Sequence, residues 1–137
     1  MTLVREAMVT EPKTLEVTAT AQEAGELLSR TEVRAVYVCE SGRLVGIVTR
    51  KTLVREVIAP GRDPRTTTLR DIAEEPWWTV QSDEPIEQAF RFLEDKDAER
   101  VPVVETDGRL VGVLSRSVLQ RRLAEDEPVA DELQQQV

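Results

Sequence analysis

Gly42-Arg43-Leu44-Val45-Gly46 is spelled again as Gly108-Arg109-Leu110-Val111-Gly112. Whether this is a repeated loop or a copied unit decides how the chain folds. The likeness runs outward from both copies. Val36-Tyr37-Val38-Cys39 precedes the first and Val101-Pro102-Val103-Val104 the second. Each is a short β-rich run ending in a polar turn. Leu44 to Val48 and Leu110 to Leu114 follow, and two such runs joined by a few residues containing glycine predict a β-hairpin. Both hairpins then meet a hydroxyl, Thr49 or Ser115, of the kind that caps helices. Apolar residues at helical spacing come next: Leu53, Val54, Val57 and Ile58, then Val118, Leu119 and Leu123.

Upstream of each hairpin the pattern predicts another helix. Thr20-Ala21-Gln22-Glu23 spells a capping box, with Ala21, Ala24, Leu27 and Leu28 on one face. In the second copy Asp83 reads as the N-cap with Pro85 in the first turn, and Ile86, Ala89, Phe90 and Leu93 form the stripe. Extended segments, Thr14 to Val17 and Trp78 to Gln81, precede these helices. The order strand, helix, strand, strand, helix therefore occurs twice, a duplication. Residues 1–60 form the first repeat, the turn-rich residues 61–68 a linker, and residues 69–124 the second repeat, with Leu69 to Ala73 mirroring Leu3 to Met8. The acidic, Gln-rich residues 125–137 read as a frayed tail.

Composition narrows the function. The 137 residues carry a net charge of −8, against a general nucleic-acid binder, which needs a basic face. No apolar run approaches the roughly 20 residues needed to span a bilayer, and no secretory h-region follows the start. The expectation is a soluble, cytoplasmic protein that engages neither nucleic acid nor membrane. Histidine is absent and Cys39 is the sole cysteine, so the cysteine reads as a packed thiol. No acid–base pair, Walker-type glycine loop or metal-ligand spacing is visible, and no catalytic residue or metal ligand is expected.

The repeated order of apolar head, P-x-T stretch (Pro12-Lys13-Thr14), amphipathic helix, "VPVV"-like strand, "GRLVG" hairpin and Thr/Ser-started helix resembles a tandem pair of CBS domains, a Bateman module, over about residues 3 to 124. The resemblance implies an α/β (α+β) fold, with two β-α-β-β-α repeats packed about a pseudo-twofold axis and clefts between them. It also implies a homodimer and a regulatory ligand of the AMP, ADP, ATP or S-adenosylmethionine kind. A unit of about 60 residues buries little surface alone, so sharing an apolar face favours two copies.

In the family's ligand motif a glycine leads to a Thr or Ser and, three residues later, an Asp whose oxygens accept from ribose hydroxyls. Here Thr52 and Val118 occupy the Asp positions. Losing that acceptor costs on the order of 1–3 kcal/mol where ribose hydroxyls stay unpaired. The phosphate half persists in Thr49, Arg50 and Lys51, and in Ser115 and Arg116. The cations read either as lining an anion pocket or as solvated first-turn residues, and the hydroxyls either as phosphate ligands or as plain caps. Of Trp77 and Trp78, strand alternation lets at most one stack on a base. Thr14 and Arg100 complete the candidate ligand contacts, beside Thr49, Arg50, Lys51, Thr52, Trp78, Ser115, Arg116 and Val118. Two functions remain open: a sensor of an anionic, adenine-nucleotide-like ligand that signals to a partner, or a ligand-free dimerisation module docking an enzyme or transporter.

Overall fold

A computed structural model describes residues 1–76 and 78–125. Trp77 and tail residues 126–137 lie outside them. The elements are α1 (Val4–Ala7), β1 (Thr14–Glu16), α2 (Ala21–Leu28), β2 (Val36–Glu40), β3 (Arg43–Val48), α3 (Arg50–Leu53) running into a π-helical turn (Val54–Ile58), α4 (Leu69–Ile72), β4 (Val80–Gln81), α5 (Ile86–Asp95), β5 (Arg100–Val104), β6 (Leu110–Ser115) and α6 (Arg116–Glu125). They form two three-stranded sheets, ordered β1-β2-β3 and β4-β5-β6. The mixed α/β class and the repeated strand and helix order match the sequence reading.

The compact units are not contiguous in sequence. One comprises residues 11–76 and 104–110; the other, residues 1–10, 78–103 and 111–125. The head of each copy is thus built into the unit that holds the other copy's helix and strands. In the first unit Leu69 and Ile72 of α4 join Val17, Ala24, Leu28, Val36, Val38 and Val48 in the core. Leu69 N–H bonds Ala19 O (2.9 Å), Arg70 N–H bonds Val17 O (3.0 Å), and Ala21 N–H bonds Thr67 O (2.8 Å). In the second unit Val4 of α1 joins Ile86, Leu93, Val101, Val103, Leu114 and Leu119. Here Val4 N–H bonds Glu84 O (2.8 Å), Arg5 N–H bonds Ser82 O (2.9 Å), and Ile86 N–H bonds Thr2 O (3.1 Å). The same three bonds recur, so the duplication extends to how a head docks.

GRLVG does three things. Its first glycine supplies a left-handed turn residue: Ser41 (φ 53°) and Gly42 (φ 81°) make the tight β2–β3 turn, and Gly108 (φ 89°) ends the longer loop of the second hairpin. Its second glycine admits a docked head. A Cβ on Gly46 would lie 2.6 Å from Ala73 Cβ, and one on Gly112 would lie 2.6 Å from Met8 Sδ and 2.9 Å from Val9 O. Finally, the two copies pair with each other inside the first unit. Leu44 N–H bonds Gly108 O and Leu110 N–H bonds Gly42 O, both at 3.1 Å, with Arg43 opposite Arg109.

Local chemistry explains most boundaries. The Thr20–Glu23 capping box forms as expected, Glu23 N–H bonding Thr20 Oγ1 at 3.2 Å and Thr20 N–H bonding Glu23 Oε2 at 2.8 Å. On β3 one extra residue, Val45, bulges between the pairs Val38–Gly46 and Cys39–Leu44. One boundary is corrected. Asp83 does not cap α5: Pro85 is the N-cap, and it is Glu84, rather than Asp83, that closes the preceding turn by accepting Gln81 N–H at 2.9 Å.

Candidate ligand-binding site

In the first unit, β1 runs parallel to β2 and β3 antiparallel to it, with Thr14 opposite Tyr37 and Tyr37 opposite Ile47. The start of β1 and the end of β3 therefore share one end of the sheet. Thr14 is exposed there, and Thr49 leaves β3 to start α3. Thr49 caps this helix reciprocally with Thr52: Thr52 N–H bonds Thr49 Oγ1 (3.3 Å) and Thr49 N–H bonds Thr52 Oγ1 (3.0 Å). Threonine thus fills the place that Glu or Gln holds in the usual box.

Thr52 is 1% exposed, and its hydroxyl donates to Glu74 Oε1 at 3.4 Å. An ionised carboxylate only accepts, so Glu74 sets the direction of the chain of hydroxyls. With the Thr52 hydroxyl donating to Glu74, the Thr49 hydroxyl donates to Thr52 Oγ1, 3.1 Å away. Glu74 also ion-pairs with Arg55 from the π-helical turn. Its backbone is fixed by two bonds to Ile47, 2.8 and 3.0 Å long. That ladder needs the head to lie flat on β3, which bare Gly46 permits. Arg50 donates to the Arg30 carbonyl at 2.7 Å, just beyond the C-terminal end of α2. Lys51 is exposed.

The second unit builds the matching junction differently. Ser115 Oγ accepts Val118 N–H at 3.2 Å, and the half-buried Val118 side chain offers no acceptor. The Glu99 carboxylate lies over the start of α6, where Oε1 accepts from Ser117 N–H (3.4 Å) and Ser117 Oγ (3.1 Å). Arg116 faces Glu99 Oε2 at 3.8 Å and Asp97 Oδ1 at 3.4 Å, and its N–H bonds Glu99 O at 2.7 Å. A carboxylate at a helix N-terminus is favourable, so this junction carries its own anion. Trp78 packs edge-on against Phe92, centroids 6.0 Å apart, with Lys96 Nζ 5.7 Å from its ring centre. Arg100 is exposed at the first position of β5.

The candidate residues thus fall into two sets. Thr14, Thr49, Arg50, Lys51 and Thr52 belong to the first unit; Trp78, Arg100, Ser115, Arg116 and Val118 belong to the second. Sequence reasoning missed Glu74, Arg55 and Glu99. They lie in a head segment, a π-helical turn and a pre-strand loop, and nothing local marks them among 26 acidic and 18 basic residues. Cys39 is buried, and burial together with the Glu16 charge pushes its thiol pKa up, keeping it protonated and unreactive. Among the described residues no helix is long and apolar enough to cross a membrane.

The CBS domain model matches residues 4–59 and 68–125. An uncharacterised Methanopyrus kandleri protein, MK0525, is 34% identical over 80 residues, 58% of this chain and 41% of its own length. This chain therefore spans well under half of that relative. Hypoxic response protein 1 of Mycobacterium tuberculosis is 28% identical over 107 residues, 77% of this chain and 74% of the relative. The solved structure of Hypoxic Response Protein I with two coordinated zinc ions superimposes with TM-score 0.75 at 26% identity, covering 89% of this chain and 99% of that one. CBSX2 in complex with AMP gives TM-score 0.74 at 24% identity, covering 91% and 98%. With a duplicated fold and the family's model matching both copies, this chain belongs to the CBS-domain family.

Proposed function

We propose that this chain is a regulatory module that binds an anionic small molecule of the adenosine class and passes the signal to a protein partner, working as a homodimer. One observation carries the reading. The first-unit junction keeps a capping hydroxyl at Thr49, an exposed cation at Lys51 and a carboxylate at Glu74, while no carboxylate of the described residues accepts from the Arg50 or Lys51 amides. The second junction already holds Glu99, so ligand binding is assigned to the first. The AMP bound by CBSX2 supports the ligand class. The zinc of Hypoxic Response Protein I is not carried over: this chain has no histidine and its lone cysteine is buried. Signalling follows from unequal ligand affinity for two arrangements of the module.

AMP, ADP, ATP and S-adenosylmethionine are tested by thermal unfolding. A ligand at about 100 times its Kd stabilises by roughly 2.7 kcal/mol. No rise in Tm with any of the four overturns the reading.

The dimerisation-module reading also has support. Ile58 (69% exposed) lines an apolar groove of about 430 Å³ together with Ala21, Gly25, Leu53, Val57 and Pro64. A second copy of the chain is the proposed occupant. Ile58→Glu separates the readings: a monomer that still binds AMP makes the groove serve assembly only.

A further inference from the structure

We infer that Glu74 supplies the carboxylate that position 52 lacks, and that through it the first-unit junction reads a vicinal diol. The inference rests on the ligand-binding reading above and names the residue that sets its specificity.

Glu74 is held and yet open. Its backbone is laddered to Ile47 on both sides, so the side chain starts from a fixed point. Oε1 is taken by the Thr52 hydroxyl and by Arg55. Oε2 makes no hydrogen bond among the described residues, and the side chain is 42% exposed. One oxygen therefore anchors the group while the other faces outward as an ionised acceptor. Bonds from hydroxyls to such an acceptor are charge-assisted, about twice as strong as neutral ones.

The same contact accounts for the threonine at position 52. An aspartate there would set a second carboxylate where the Thr52 hydroxyl now sits, 3.4 Å from Glu74 Oε1. Two carboxylates at that range repel, and one is driven to take up a proton. Thr52 instead donates a hydrogen bond to Glu74. The acceptor has moved from the helix to the head segment packed on β3, and the helix residue has become its donor.

Charge also fixes which way a ligand lies. With the charge of Glu74 balanced by Arg55, a phosphate is drawn toward the exposed Lys51, leaving the neutral diol for Oε2. The chemistry is that of a ribonucleoside monophosphate with both ribose hydroxyls free.

The test is calorimetric titration of the full chain with AMP and with 2′-deoxy-AMP, in the native protein, Glu74→Gln and Arg55→Ala. The native chain should bind AMP about tenfold more tightly than the deoxy ligand, the worth of one charge-assisted bond. Glu74→Gln should lose about that tenfold for AMP and little for the deoxy ligand, bringing their ratio near one. Arg55→Ala breaks the same ion pair but keeps the carboxylate, so it should preserve the ratio. The pair is exposed and contributes little to folding, and thermal unfolding of both variants verifies that they are folded. If Glu74→Gln keeps the AMP preference, or Arg55→Ala loses it equally, the inference fails while the ligand-binding reading stands. If the native chain binds neither nucleotide, the inference fails, and the ligand-binding reading falls with it only where ADP, ATP and S-adenosylmethionine also leave Tm unchanged.

Discussion

The two strand-to-helix junctions began as copies and now meet different carboxylates. After β3, two threonines cap each other and lean on Glu74, which comes from a head segment docked over Gly46. After β6, Ser115 caps alone and Glu99, from the loop before β5, sits on the helix start with Arg116 and Ser117. One carboxylate stands at the side of its helix with an oxygen free; the other covers the amides. A duplicated backbone therefore does not duplicate a site. The charge each copy receives is decided by which neighbouring loop reaches it.

The glycines give the largest expected break in this comparison. Gly46→Ala forces a methyl to 2.6 Å from Ala73 Cβ, which is rigid. The expected cost is about 1–3 kcal/mol in chemical denaturation, the range for overpacking. Ala73→Gly should restore part of it, which Gly112→Ala cannot mimic because there the backbone Val9 O lies 2.9 Å away. Additive losses in the Gly46 and Ala73 pair would mean that the head does not rest on that glycine.

Swapping position 52 against position 118 sharpens the contrast at lower cost. Thr52→Val removes a buried hydroxyl that both caps and donates, so about 1–2 kcal/mol should be lost. Val118→Thr enters a half-buried site already capped by Ser115 and should stay within about 0.5 kcal/mol. Equal effects would show that the junctions are equivalent after all.

The smallest effect is electrostatic. Because folding raises the Cys39 pKa, the folded state keeps the thiol protonated after the unfolded chain has begun to ionise. Stability contributed by the thiol is complete below the ordinary thiol range and declines as pH rises through it toward the folded value. Cys39→Ala should flatten that alkaline decline in Tm, and an unchanged slope would assign it elsewhere.

Much of this was legible from residue order. The hairpins follow from GRLVG and its flanking β-rich runs, and the Thr20 capping box from four letters. The π-helical turn was not legible, because Leu53, Val54, Val57 and Ile58 satisfy an ordinary helical spacing. Nor was the crossing of the heads. Val4 and Leu69 each begin a one-turn helix that makes the same backbone bonds, so local pattern cannot tell which body receives which head. The resemblance carried the expectation of an Asp at position 52, and its absence read as a loss. Only the fold brings Glu74, 22 residues away in sequence, to that hydroxyl.

In the proposed function the first junction takes the ligand and the second is closed by its own glutamate. Amide chemical shifts recorded by NMR during an AMP titration test it directly. Saturable changes are expected at Thr49 to Thr52 and at Glu74, with Ser115 to Val118 unmoved. Changes centred on Ser115 to Val118, or none at either junction at saturating AMP, would contradict it.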